Sequence, residues 1–365
     1  MTRAAVLTGP GAIELQTIER PTLPDGEWAW LRVEACGLCG TDVEQFDGSF
    51  TGSGWPAGPM ILGHEVVGVI EQVGESTAQR WGVTVGDRVA VEPSIPCGSC
   101  RPCLTGEYVS CRGWPTRPLA YGFVPMSAEP MLWGGYSEHM ALHPLSVVHR
   151  VPEGLDPGTA TLFNALGAAH EWTVRRSGLG AGQSVVVLGA GQRGLASVVA
   201  ARAAGAGLVI VSGTPHDHRR LRHATDLGAD RVVDIATDDL AGVVLEATGG
   251  RGVDVVVDTS AGAVEPVSQA IDCVADGGTV VLGGLKQGRH AALDVDQVVL
   301  RAIRIQGARS AGWPAYHRAL ELLGDTPGLG ALRTHVFDLE HAADAMAALK
   351  GDDPDRVYVG IDPAG

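Results

Sequence analysis

Four cysteines crowd one short stretch, Cys97-Gly98-Ser99-Cys100-Arg101-Pro102-Cys103 and, after seven more residues, Cys111. Two-residue spacings let neighbouring thiolates converge on one ion, and four thiolates make the closed tetrahedral set that structural zinc takes. The lobe around them is rich in Gly and Pro and poor in apolar residues, so a metal can hold it where a core cannot. Two disulfides are the alternative. Three cysteines within seven residues make poor disulfide geometry, and the opening Met1-Thr2-Arg3-Ala4-Ala5-Val6 lacks the apolar stretch of a signal peptide. Structural zinc and a cytoplasmic location are therefore expected.

The second chemical feature is built from glycine. Ser184–Leu188 reads as a buried strand that runs into Gly189-Ala190-Gly191-Gln192-Arg193-Gly194 and then an Ala-rich helix, Leu195–Ala204. Among 51 glycines the triad alone would say little; its strand–turn–helix context points to a dinucleotide. Gly189 permits the tight turn and Gly191 lets the backbone approach a pyrophosphate. Gln192, Arg193 and Gly194 open the helix whose free N–H groups and dipole favour that anion. The next strand, Leu208–Val211, is followed by Ser212, Gly213, Thr214 and Pro215, with none of the acid that marks an NAD ribose site. Gly213 leaves room, Thr214 can hydrogen-bond, and Arg219 or Arg220 can face a 2′-phosphate, so NADP is favoured over NAD. In the alternative both arginines are solvated and Asp217 turns back to the ribose.

The elements that must position these groups fall into three stretches. Up to about residue 150 the apolar runs are short and interrupted (Ala29–Val33, Val66–Val73, Arg88–Val91), as in a small β-barrel or sandwich. Strand and helix then alternate: Ser184–Leu188, the Ala-rich helix, Leu208–Val211, a helix Arg219–Leu227, Val253–Asp258, Val264–Val274 and Thr279–Leu282. That pattern means a parallel sheet covered on both faces. After residue 312 helices at Pro314–Leu323 and Glu340–Leu349 precede a strand, Val357–Ile361. The hydrophobic fraction, 45%, suffices for full-sized cores, and the net charge of -15 argues against nucleic acid or an anionic membrane as partner. No apolar run reaches membrane-spanning length.

Two further pieces precede the cysteine lobe: Cys36-Gly37-Leu38-Cys39-Gly40-Thr41-Asp42 and Gly63-His64-Glu65-Val66-Val67-Gly68. With the lobe, the glycine fingerprint and Gly277-Gly278-Thr279-Val280-Val281 in this order, the chain resembles the zinc-dependent alcohol dehydrogenases of the medium-chain dehydrogenase/reductase superfamily, nearest the polyol and threonine dehydrogenases. The resemblance covers essentially the whole chain. It implies an α/β fold: a GroES-like β-barrel catalytic domain over residues 1–163, a Rossmann domain with a doubly wound parallel sheet over 164–311, and a segment 312–365 that completes the first domain. It implies Cys39 and His64 as catalytic zinc ligands, Thr41 as the start of a proton relay, Asp42 as the carboxylate that orients the histidine, and Glu65 as a glutamate able to enter the metal shell. It also implies a homodimer or homotetramer formed through Ala302–Gly312. Cys36 and Cys273 read as small buried residues.

Three positions depart from the family pattern. Asn164 stands where relatives carry an acidic or thiolate zinc ligand; either its amide is a weak third ligand, or water fills the place, or Glu65 supplies the anion. Glu44 replaces the relay histidine and can pass protons or sit solvated. Gly40 stands where several relatives place a basic residue. Trp55, Trp114, Tyr121, Phe123, Met126, Met131, Trp133 and Trp172 suggest a roomy apolar pocket for a bulky or cyclic secondary alcohol, or else core filling. Polyol oxidation, a zinc-independent enone or quinone reductase, and a cofactor-binding module without turnover are the competing readings.

Overall fold

The computed structural model describes residues 1–49, 58–114, 119–326, 328–353 and 355–363. The chain divides into two compact units, Met1–Asn164 with Gly312–Gly365, and Ala165–Ala311. Asn164, placed by the sequence reading at the head of the middle segment, closes the first stretch of the first unit instead.

In the first unit β1 (Thr2–Gly9) pairs with β2 (Ala12–Ile18) and β4 (Met60–Ile61) in one small sheet, around which β3 (Ala29–Leu38), β5 (Glu65–Val73), β6 (Arg88–Val91), β7 (His139–Leu142) and β8 (Val148–Arg150) build a larger antiparallel one. The pairing that matters most is β3 with β5, antiparallel from Ala29 opposite Val73 to Gly37 opposite Glu65. Leu31, Val33, Val66 and Ile70 bury themselves from these strands into the core, which fixes the register, since a one-residue slip would turn every apolar side chain outward. That register brings the end of β3, which leads into Cys39, beside the start of β5, which follows His64.

The second unit holds β9 (Ser184–Leu188), β10 (Leu208–Gly213), β11 (Arg231–Asp234), β12 (Val253–Asp258), β13 (Val274–Leu282) and β14 (Arg304–Gly307) in one sheet of order β11-β10-β9-β12-β13-β14. Every pairing in it is parallel. Val185–Val187 and Val255–Val257 are almost fully buried because both sheet faces are covered, which explains their unbroken β-branched runs. The strand order reverses between β9 and β12, the place where open α/β sheets bind ligands. Strand β11 and the helix Leu240–Ala247 are additions to the sequence reading; Val232 is exposed and neither segment shows a clean apolar period.

The chain then returns to the first unit. Strand β15 (Arg333–Phe337) pairs parallel with β16 (Tyr358–Ile361), and β16 pairs antiparallel with β3, Val359 opposite Leu38 and Gly360 opposite Gly37. No helix among the described residues is long and apolar enough to cross a membrane.

Candidate active site

The structure brings the four lobe cysteines together as free thiols whose sulfurs all lie within 4.8 Å of one another. Four sulfurs about 2.3 Å from one zinc would be about 3.8 Å apart. The observed Cys97–Cys103, Cys100–Cys103 and Cys100–Cys111 separations are 3.9, 3.4 and 3.8 Å. Backbone N–H groups of Cys100 and Cys97 point at the sulfurs of Cys97 and Cys111, both at 3.4 Å, as donors that favour thiolate. Such donors from Ser99 and Cys100 bring the Cys97 thiol down to about 5. Partial burial, then the neighbouring Cys100, pushes Cys103 up to about 12. A dication removes that conflict, so the donor set fits zinc.

A second cluster, Cys39, His64 and Glu65, is wholly buried, and its donor atoms also lie within 4.8 Å of one another. Cys39 caps the short helix Gly40–Phe46, and His64 sits in the turn between β4 and β5. Cys39 Sγ and His64 Nε2 are 3.1 Å apart, slightly closer than the about 3.6 Å that a tetrahedral ion between them would impose. Asp42, fully buried, ties the two residues: its Oδ2 accepts the Cys39 backbone N–H at 2.9 Å, and its Oδ1 lies 3.4 Å from His64 Nδ1. With a proton on Nδ1, the Nε2 lone pair faces the thiol. Burial favours neutral His64, yet Cys39 and Asp42 outweigh it and raise its pKa well above the ordinary value. A bound dication would reverse that balance.

Glu65 is fixed from behind. The hydroxyl of Tyr358, the first residue of β16, donates to Glu65 Oε2 at 2.6 Å. Gly37 makes room, since a Cβ there would strike both the hydroxyl and the carboxylate. Thr41 and Glu44 lie half-buried on the helix that Cys39 caps, and Asn164 is buried at the start of the helix Phe163–His170. Neither Tyr358 nor its partnership with Glu65 was legible in the sequence, where Tyr358 is one apolar position in a strand.

In the second unit the glycines of the fingerprint serve three different ends. Gly189 adopts φ +97, and a Cβ on Gly194 would strike the Gly189 carbonyl. Gly191, at the N-cap of the helix Gln192–Ala203, has ordinary φ of -69, and a Cβ there would meet no protein atom. The space is open to a ligand. Gln192 Nε2 is buried without a hydrogen-bond partner among the described residues, and the Arg193 guanidinium lies over the Trp172 ring at 5.5 Å. Thr259 holds the turn through its hydroxyl, which donates to the Leu188 carbonyl at 2.9 Å. Asp258, the buried last residue of β12, pairs with Lys286 at 2.7 Å, tying that strand end to the loop after β13. These residues fit a dinucleotide at the switch point.

Asp217 bonds within its own turn and helix. Its Oδ2 accepts from the Thr214 N–H and hydroxyl at 3.0 and 2.7 Å, and its Oδ1 from Arg220 at 2.6 Å. These bonds outweigh burial and hold its pKa below the usual aspartate value. Arg219 is exposed beside them, and Gly213 ends β10 with no acid.

The aromatic set is largely spent on packing. Tyr121 and Trp133 are buried in the first unit's core, with Trp114 and Met126 packed against it. Trp133 Nε1 donates to the Ala128 carbonyl at 3.0 Å and Trp114 Nε1 to that of Ile95 at 2.8 Å. Trp172 is 4% exposed and packs on Gly283 in the second unit. Met131 is half-buried, and Trp55 lies outside the described residues. Phe123 differs: it is half-buried with its ring 5.5 Å from that of His64. Gln45, from the Cys39-capped helix, holds its loop by donating to the Gly122 carbonyl at 2.8 Å.

Residues 25–153 match the alcohol dehydrogenase GroES-like domain, and residues 194–325 match the zinc-binding dehydrogenases. A Mycobacterium tuberculosis protein named "Probable alcohol dehydrogenase adh" is 43% identical over 355 residues, 96% of this chain and 95% of its own length. The chain belongs to the zinc-binding alcohol dehydrogenase family. This dehydrogenase is also 31% identical to the sorbitol dehydrogenase of Bacillus subtilis, over 94% of this chain and 92% of that protein. A zinc-binding dehydrogenase of Sinorhizobium meliloti, solved bound to NADP, superposes with a TM-score of 0.84 at 29% identity, covering 100% of this chain and 99% of that one.

Proposed function

We propose that this dehydrogenase interconverts an alcohol and its ketone or aldehyde with NADP as hydride carrier. The observation that carries the reading is the buried Cys39–His64–Glu65 set: three unlike donors that can hold zinc and leave a position open for an oxygen ligand. Zinc would polarise the substrate oxygen, and the nicotinamide would exchange the hydride. Cys39 Sγ and His64 Nε2 would bind the ion and Glu65 would add the third protein donor and a second negative charge, so the set would not depend on Asn164. Asp42 keeps His64 in the tautomer that frees Nε2. The Thr41 hydroxyl, two residues after Cys39, accepts the alcohol proton as it releases its own, and Glu44, one helical turn further, receives that proton and passes it on. Gly189, Gly191, Gln192, Arg193 and Gly194 receive the pyrophosphate.

Support for NADP comes from the end of β10. Gly213 and Thr214 put no carboxylate there, Asp217 bonds to Thr214 and Arg220, and Arg219, on the helix that follows, can face a 2′-phosphate. The S. meliloti relative bound to NADP agrees. Phe123 beside His64 favours a substrate with an apolar side, such as a bulky or cyclic secondary alcohol. Polyol oxidation is the second reading, favoured by the sorbitol dehydrogenase relative. A homodimer through β14 is part of the proposal: this edge strand is exposed along its length, beside Val299 and Leu300 at 70% and 84% exposure.

The test is zinc per subunit by mass spectrometry, on protein purified without added metal, together with an oxidation panel of cyclohexanol-like alcohols and sorbitol run with NADP⁺ and NAD⁺. About two zinc ions and NADP⁺-dependent turnover support the reading. A single zinc, retained by the lobe, with no alcohol oxidation overturns it.

A further inference from the structure

The residue that backs Glu65 comes from the far end of the chain. Tyr358 is fully buried, and its hydroxyl has two acceptors within reach, Glu65 Oε2 at 2.6 Å and the Thr161 carbonyl at 3.1 Å. A hydroxyl carries one proton, and a carboxylate is the stronger acceptor, so the proton goes to Glu65. Three neighbours fix the ring: the pairing of β16 with β3, the Thr161 carbonyl, and Gly37, whose missing side chain leaves the channel through which the hydroxyl meets the carboxylate.

We infer that Tyr358 is the positioning residue of the buried metal site, aiming the Glu65 carboxylate at an ion held by Cys39 and His64. It touches neither substrate nor cofactor; it acts through Glu65. The geometry mirrors that of Asp42 on the other side. Asp42 orients His64, Tyr358 orients Glu65, and each ligand is thereby held by a fully buried polar partner. Hydrogen-bonded partners behind metal ligands typically change metal affinity by about 10- to 100-fold when removed. This inference rests on the metal-binding reading of Cys39, His64 and Glu65 given above.

The experiment uses the full chain and a double-mutant cycle of Tyr358→Phe, Glu65→Gln and both together. Zinc affinity of the buried site is read by competition with a chromophoric chelator, and the ligand field by visible absorption after cobalt substitution. Tyr358→Phe is expected to weaken the buried site by about 10-fold or more and to shift the cobalt bands, with the lobe metal retained. In the Glu65→Gln background the same change is expected to add little, because the two residues act as one unit. A purely structural role would instead lower the melting temperature in both backgrounds equally and leave the cobalt bands in place. Wild-type affinity in Tyr358→Phe, or effects that add fully in the double variant, overturns the inference. A wild-type protein that binds only the lobe metal shows that the metal-binding reading itself has failed.

Discussion

The two metal-type clusters of this molecule are opposites in construction. The lobe gathers four identical soft donors from fifteen consecutive positions, Cys97 to Cys111, and three of them stay partly exposed. Its helices among the described residues are four and three residues long, so an ion there would do the work of a core. The buried site gathers three unlike donors from two strand ends, and the strands around them belong to the main core. There the fold comes first and an ion would fill a place already made. A closed set of like ligands suits a strut; an incomplete set of unlike ligands, each held by a second residue, suits chemistry.

The contrast can be broken most forcefully at the lobe. Cys100→Ser is expected to empty it and, because the free energy of binding a structural zinc is largely folding free energy, to lower the melting temperature by about 10 °C or more. Calorimetry and zinc content check this; a stable protein lacking that zinc would make the lobe ornamental. Next comes the buried site. Asp42→Asn keeps an acceptor for the Cys39 N–H but removes the charge beside His64. Turnover should fall about 10- to 100-fold with little change in melting temperature, the reverse of the lobe variant, and steady-state kinetics on both proteins show whether that holds.

A sharper distinction comes from Asn164→Ala. If Glu65 is the third donor, both zinc ions remain and the pH profile of turnover is unchanged. Loss of one zinc would give the amide a ligand role. The smallest effect is expected far from either metal. Asp217→Asn removes the charge that caps Thr214 and pairs Arg220, costing about 1 kcal/mol of stability and raising the KM for NADP⁺ a few-fold. Because the folded pKa of Asp217 lies below its ordinary value, the stabilisation is complete above that value and disappears as pH falls through the folded pKa. Denaturant melts of wild type and variant should therefore differ at pH 7 and converge in strongly acid solution.

How much of this was legible in the sequence follows the same divide. Cysteine spacing displays the lobe because all its donors are neighbours in the chain. The close approach of Gly194 to the Gly189 carbonyl emerged only from the structure, whereas Gly189 could be read because its reason, a positive φ, is set by a local turn. The alternation from Ser184 to Leu282 shows the parallel sheet for the same reason. The grouping of Cys39 with His64 and Glu65 came only from resemblance, since it depends on the β3–β5 register. Trp114, Tyr121 and Trp133 stayed ambiguous in the sequence: aromatic residues fill a core or line a pocket with the same composition, and only packing tells them apart. Tyr358 and Lys286 were invisible because their meaning lies in partners 293 and 28 positions away.

Strand β16 has a consequence in time. The middle unit, Ala165–Ala311, is threaded between the two halves of the first. A nascent chain has the whole lobe in hand once Cys111 has emerged, so its zinc can be taken up early. Cys39, His64 and Glu65 emerge earlier still, but the strand that pairs with β3 and backs Glu65 is made only after the whole middle unit, with Tyr358 293 positions beyond Glu65. The strut can set before the middle unit is made, whereas the reactive site waits until after it.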